Sequence, residues 1–254
     1  MDHYSKKLFI CFSAKDRYKI VQPVVYHLKN YGVDIWYDRY EMVMGDNRFA
    51  KNIQEGAGQC EYALIILSAN TEASVCASEE IKVLESRYYN NNVVVFPVLY
   101  ELDPSNIPKK FSWIKNIIFK EVDHTSGTIE ICNHIACKIT QDMIRDYHYR
   151  SLNDIINAKL PLPEIVITLL NKYNKIDSSN LNSRITMLYA IFIAIRPEHP
   201  LKNPEYEMPI KIFERLFAET LLNLNVDYRD IWLLENSLCL LINYYITFCI
   251  ESKV

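Results

Sequence analysis

The chain has 254 residues, enough for one large domain or two ordinary ones, and its 50% hydrophobic and 23% charged residues exclude a disordered polymer. A formal net charge of -3 leaves no basic footprint for nucleic acid, so no nucleic-acid partner is expected. The 7 cysteines are odd in number and form no CxxC pair; they read as reduced thiols of a cytoplasmic protein without a signal peptide.

Residues 8–12 are a short apolar run, expected as a buried first strand. Residues 19–31 follow with helical spacing, placing Ile20, Val24, His27, Leu28 and Tyr31 on one stripe, and Gly32 is expected to end the helix as a left-handed cap. Residues 33–37 read as a second strand, 48–55 as a second helix ending near Gly56, and 62–67 as a third strand of continuous apolar character. A third helix is expected over 72–89, a fourth strand over 93–99, a fifth strand over 113–119 and a closing helix over 129–149. Strands alternating with helices imply right-handed crossovers and an α/β fold, a flavodoxin-like parallel sheet of five strands covered on both faces. Such sheets place ligands at the carboxyl ends of their strands, here the segments after Phe12, Tyr37 and Leu67.

Beyond residue 150 the pattern becomes helical, over 154–158, 163–173, 181–195, 208–224 and 228–250, with Pro161, Pro163, Pro197, Pro200 and Pro204 at the breaks. The expected domains are therefore 1–149 and an all-α accessory domain, 150–254. None of the 5 glycines follows Gly127, so phosphate-cradling loops are not expected there. The run 233–250 approaches membrane-spanning length, but Glu235, Asn236, Ser237 and Asn243 interrupt it, so it reads as a core or subunit-interface helix and no membrane is expected. Its Trp232, Leu234, Leu238, Leu241, Tyr245 and Phe248 suggest self-association through the last helix. Cys132, His134 and Cys137 come nearest to metal-ligand spacing, but with no second cluster they read as helix residues and no metal site is expected.

Three segments carry a resemblance. The first is Leu8-Phe9-Ile10-Cys11-Phe12-Ser13-Ala14-Lys15-Asp16. The second is Gly32-Val33-Asp34-Ile35-Trp36-Tyr37-Asp38, continuing through Glu41, Gly45, Asp46, Ile53 and Gly56. The third is Leu67-Ser68-Ala69-Asn70, then Ser74 and Glu79-Glu80-Ile81. In their order and spacing they resemble the TIR (Toll/interleukin-1 receptor) family over roughly residues 5–125: its opening strand, its second strand with the long loop that follows, and the helix that carries the catalytic glutamate of TIR enzymes.

The resemblance implies cleavage of the nicotinamide–ribose bond of NAD+, giving ADP-ribose or a cyclic isomer. Nicotinamide leaves neutral from a pyridinium and needs no general acid. The difficulty is the positive charge developing on the ribose, which a nearby carboxylate stabilises electrostatically. In the family pattern the catalytic Glu directly precedes an apolar residue. Glu80 precedes Ile81 and is the expected catalytic residue, with Glu79 as the alternative register. Many members carry Trp four residues before this Glu, where this chain has Cys76.

The expected substrate-binding residues are Phe12, Ser13, Tyr37, Asp38, Gly45, Arg48, Ser68 and Asn70. Phe12 and Ser13 are expected to meet the nicotinamide side, with core packing the alternative for Phe12. Of Trp36 and Tyr37, one is expected in the core and Tyr37 in the pocket. Asp38 bonds a ribose hydroxyl or caps the loop; Arg48 approaches the pyrophosphate or is solvated. Gly45 is expected to take a positive φ, and Ser68 and Asn70 bind substrate or only shape their turn.

Neither GxGxxG nor GxxxxGK[ST] occurs, so NAD+ is expected as a consumed substrate and no cofactor as a resident. The resemblance further implies self-association through the TIR part, a role in anti-phage defence and a downstream effector that binds the nucleotide product. The competing reading is a non-catalytic TIR–TIR adaptor docking through residues 39–47.

Overall fold

The computed structural model describes residues 7–195, 207–223 and 227–250. The expected breaks at Pro197, Pro200 and Pro204 and the side chain of Phe248 lie outside what is described. Contacts divide the chain into two units, Met1–Lys29 with Val33–Cys132, and Asn30–Gly32 with Asn133–Val254. The division falls inside the helix Ile129–Ile144, whereas the sequence pattern changes near residue 150.

The first unit holds a five-stranded sheet in the order β2-β1-β3-β4-β5, with every neighbouring pair parallel. The strands are β1 (Leu8–Cys11), β2 (Ile35–Trp36), β3 (Tyr62–Leu67), β4 (Val94–Tyr100) and β5 (Lys120–Val122). Every residue of β1 and β3 is buried, because helices cover both faces of a parallel sheet; this is why their sequences are unbroken apolar runs. The chain winds outward in both directions from the β1–β3 pair. This is the flavodoxin-like arrangement, and in sheets of this kind the switch point at the carboxyl ends of the strands is where ligands bind. Cys11 pairs in register with Ile65, so Phe12 and Ser68 lie at the same edge.

The first helical segment is less regular than its stripe suggests. A 3-10 turn (Ala14–Asp16) and a π-wound turn (Arg17–Val21) precede helix α1 (Gln22–Asn30). Pro23 would crowd the carbonyl four residues earlier in a regular helix, and widening the winding at Lys19 relieves that. Gly32, at φ 76°, ends the segment in the left-handed region. After β2 comes a four-residue helix, α2 (Asp38–Glu41), which the sequence did not suggest, and then a π-wound helix, Phe49–Ala57. Helix α3 (Val75–Tyr89) begins three residues later than expected, at an N-cap on Ser74 whose Oγ accepts from Ala77 N at 3.3 Å.

The expected fifth strand over 113–119 is corrected by the structure. Residues Lys109–Asn116 form 3-10 turns that bury Phe111, Trp113 and Ile114, with the Trp113 ring 5.4 Å from Tyr88. A short apolar run has the same signature in a strand and in a buried turn. The actual fifth strand, β5, is a partly exposed edge strand without an apolar pattern, pairing with Val98–Tyr100 of β4.

The second unit contains the later part of α4 (Ile129–Ile144) with α5 (Leu152–Asn157), α6 (Glu164–Tyr173), α7 (Leu181–Ile195), α8 (Glu207–Asn223) and α9 (Tyr228–Tyr244), which runs on as a π-wound turn, Tyr245–Ile250. Asp227 and Asp230 cap α9 reciprocally. Tyr173, Arg184 and Glu235 tie α6, α7 and α9 together, with Arg184 Nη2 donating to Glu235 Oε1 at 2.6 Å. Leu234, Leu238 and Leu241 are buried, and α9 packs on α7 and α8 of the same chain. This corrects the expectation that these three leucines offer a face to a second copy; among the described residues of that stripe, Trp232 is the well-exposed one. Among the described residues no helix is long and apolar enough to cross a membrane.

Candidate active site

The site is built where β1, β2 and β3 end, with α3 packed against β1 and the Phe49–Ala57 helix. Ala77, Ile81 and Leu84 are fully buried on one face of α3. Glu80 lies three residues after Ala77 and four before Leu84, so the helical repeat carries it inward with them. It is 5% exposed. Glu79, about 100° round the helix, keeps a half-exposed side chain and pairs with Arg48 Nη2 at 2.5 Å. The two adjacent carboxylates thus have opposite surroundings.

The π-wound helix Phe49–Ala57 supplies the partner of Glu80. A Cβ on Gly56 would stand 2.7 Å from Phe9 Cε2 and 3.1 Å from Trp36 Cε2. Only glycine lets this helix lie so close to β1 and β2. One turn earlier, buried Asn52 donates from Nδ2 to Glu80 Oε1.

Burial pushes the Glu80 carboxyl up to about 7; hydrogen bonds from the Cys11 thiol and the Asn52 amide pull it down, nearby Asp38 pushes it up and Arg48 pulls it down. The Cys11 thiol is itself raised well above its ordinary value, first by burial and then by Glu80. It stays protonated and is a donor, with Sγ also 3.7 Å from Ala77 O.

Beside this carboxylate sits an aromatic and ionic cluster. Arg17 donates from both Nη1 and Nη2 to Asp38, each at 2.6 Å, and from Nη1 to Tyr37 OH at 3.0 Å. Its guanidinium lies 4.8 Å from the centre of the Phe12 ring. Phe12 is half-buried, with its ring 6.0 Å from that of Tyr37. Both Trp36 and Tyr37 are buried, and Asp38, the first residue of α2, is held by Arg17.

Ser68 and Asn70 pin the turn after β3 to the turn after β1. Ser68 Oγ donates to Asp16 Oδ2 at 2.5 Å and Asn70 Nδ2 to Asp16 Oδ1 at 2.7 Å. Asp16 and Ser13 are both buried. Gly45 takes φ 104° in a loop whose Val43 and Met44 are exposed. Arg48 heads the Phe49–Ala57 helix, and its Nη1 is buried without a hydrogen-bond partner.

The structure therefore brings Glu80, Phe12, Ser13, Tyr37, Asp38, Ser68 and Asn70 to one edge of the sheet. It places Glu79 and Arg48 on the outer side of α3, paired with each other. A groove of about 570 Å³ on that outer side is lined by Glu79, Val75, Lys82, Lys110 and Phe111 among others; Glu80 is not part of it.

Two participants were missed in the sequence, Asn52 and Arg17. Asn52 had a legible signal, an amide on a stripe otherwise made of Ile53, Gly56 and Ala57. Arg17 had none beyond following Asp16.

A profile of the TIR domain matches residues 8–127. Over 108 residues the chain is 30% identical to the NAD(+) hydrolase TcpC of Escherichia coli, covering 42% of this chain and 34% of that protein. Over 99 residues it is 25% identical to the 2' cyclic ADP-D-ribose synthase BtTIR of Bacteroides thetaiotaomicron, covering 39% of this chain and 34% of that one. A third similar protein is the 2' cyclic ADP-D-ribose synthase AbTIR of Acinetobacter baumannii, 24% identical over 100 residues, 39% of this chain and 37% of its own length. The chain thus spans about a third of the length of the curated relatives it matches. Among solved structures, the TIR domain of the Toll-related receptor TRR-2 from Hydra magnipapillata aligns with 45% of this chain and 82% of its own at 16% identity, with a TM-score of 0.37.

Proposed function

We propose, from the premise that residues 8–127 are a TIR domain, that this chain is an NAD+ nucleosidase that breaks the nicotinamide–ribose bond. The observation that carries the reading is Glu80: a carboxylate at the strand tips, buried, hydrogen-bonded and adjacent to a solvated twin. As nicotinamide departs, electron density leaves the ribose ring and an oxocarbenium-like cation develops. A carboxylate fixed in a dry site interacts with that cation far more strongly than one in water, and selectively in the transition state. The leaving group departs neutral, so one carboxylate suffices where glycoside hydrolases use two. Glu80 acts in its ionised form, and the positive charge of the substrate's pyridinium favours that form on binding.

Phe12 offers aromatic surface toward the nicotinamide, while Tyr37, expected in the pocket, is fully buried and backs Phe12 from the core; Asp38, Ser13, Ser68 and Asn70 line or shape the ribose side. Gly45 shapes the loop beside the entrance, and Arg48, expected near the pyrophosphate, is instead held by Glu79 on the outer side of α3 and is assigned no substrate contact. The names of the similar proteins support both outcomes for the cation: capture by water, giving ADP-ribose, or capture by a hydroxyl of the same molecule, giving a cyclic isomer. NAD+ is the substrate, with no resident cofactor.

The chain acts, in this reading, in the cytoplasm, in anti-phage defence, through NAD+ depletion or a nucleotide signal bound by an effector. Self-association through the TIR part, by way of the exposed loop holding Val43 and Met44, and through the helical unit, completes and switches the site. A docking adaptor has no use for a buried, partnered carboxylate, which places the enzymatic reading ahead of it.

The test is nicotinamide release from NAD+ by the purified chain. Glu80→Gln is expected to abolish it and Glu79→Gln to retain most of it. If both variants keep full turnover, the assignment is wrong; a wild type inert at high concentration and under crowding favours the adaptor.

A further inference from the structure

We propose that Asn52 is a positioning residue for this reaction: its side-chain amide locks the plane of the Glu80 carboxylate so that the charge faces the ribose. The inference rests on the assignment of Glu80 under the proposed function. The terminal torsion of a glutamate is broad, so an unheld carboxylate samples many orientations. Asn52 Nδ2 meets Oε1 from an element other than α3 and fixes that torsion against the sheet.

The placement is expensive without such a role. Asn52 is 7% exposed and shares its helix face with Ile53, Gly56 and Ala57, where an apolar side chain would pack. A buried amide is tolerated when it is hydrogen-bonded, and here it donates to Glu80 Oε1. The close approach that only Gly56 permits brings Asn52 within reach. The chemistry of the donor also matters. A lysine or arginine at this position would neutralise the carboxylate and remove the field that stabilises the sugar cation. A neutral amide orients the carboxylate and leaves its charge intact.

The groups facing Glu80 from the packed elements are Cys11 on β1, Asp38 at the head of α2, and Arg48 at the head of the Asn52 helix, itself paired with Glu79. Of the two hydrogen-bond donors among its neighbours, the amide is the one that lacks any titration of its own.

The experiment uses the full chain and three variants, Asn52→Leu, Asn52→Asp and Asn52→Gln. Losing a hydrogen bond to a charged group is expected to lower kcat about tenfold or more in Asn52→Leu while KM changes little. The midpoint of the rise of kcat/KM with pH is expected to move up by about one pH unit, because the ionised form has lost a donor. Asn52→Asp, close in shape, is expected to move that midpoint up further through like-charge repulsion, and Asn52→Gln to restore part of kcat. If Asn52→Leu fails to fold, the midpoint of Asn52→Asp decides, and an unmoved midpoint overturns the proposal.

Unfolding provides a readout independent of turnover. The pH-dependent part of the Asn52→Leu effect on stability is expected to vanish in a Glu80→Gln background. If it persists there, Asn52 acts elsewhere and the proposal falls. A wild type that releases no nicotinamide while this coupling is present defeats the enzymatic reading but leaves the Asn52–Glu80 linkage standing.

Discussion

Replacing Glu80 by Gln is expected to stabilise the protein, and to do so increasingly as pH rises. The carboxyl titrates in the folded protein at about 7, above its ordinary 4.5, because burial disfavours the charged form. The folded chain therefore holds this proton more tightly than the unfolded chain. The stability it contributes is complete below about 4.5 and is lost as pH climbs through about 7. Over that interval, at about 1.4 kcal/mol per pH unit, ionising Glu80 in place comes to about 3 kcal/mol. Gln preserves the shape, and its amide oxygen accepts from Asn52 Nδ2 as the carboxylate does, with no charge to bury. Urea unfolding of both proteins at pH 5 and pH 8 separates this contribution, since all other titrating groups are common to the pair. The advantage of Glu80→Gln is expected to widen by about 2 kcal/mol between these pH values. Parallel stability curves would show that the carboxyl titrates near its ordinary value, and the burial argument would be refuted.

Further expectations follow from the same geometry. On the proposed role of Glu80 as an ionised carboxylate, kcat/KM for NAD+ is expected to rise with pH to a plateau above about 7; a steady-state profile flat from pH 5.5 to 8.5 contradicts this. Gly56→Ala forces a methyl against the buried rings of Phe9 and Trp36 and is expected to destabilise by roughly 1–3 kcal/mol, measured by denaturant midpoint, and to lower kcat by displacing Asn52. Arg17→Leu leaves Asp38 without its bidentate partner. It is expected to raise KM for NAD+ more than it lowers stability, because Asp38 remains partly exposed to water; a change confined to the melting temperature would argue that the pair is purely structural.

Much of this site was legible in the sequence because it follows from period and position. Leu8 to Cys11 and Tyr62 to Leu67 are unbroken apolar runs that alternate with helical patterns, which is how buried strands of a two-sided sheet read, and the place of Glu80 directly before Ile81 favoured it over Glu79. The strand at Trp113 was misread because burial alone makes the run apolar, whatever its backbone does. β5 was invisible because a half-exposed edge strand has no pattern to read. Asn52 was overlooked for a different reason. Its amide on an otherwise apolar stripe was visible, but its partner depends on a wide-wound helix seated against β1, and neither that winding nor that contact has a local signature. The last helix misled in the opposite direction: its leucines satisfy α7 and α8 within the chain.

The most direct test compares nicotinamide released from NAD+ by wild type, Glu79→Gln and Glu80→Gln proteins at equal concentration and pH 8. A buried carboxylate steadying the ribosyl cation requires turnover in the first two and its loss in the third. Undiminished release by Glu80→Gln would contradict it.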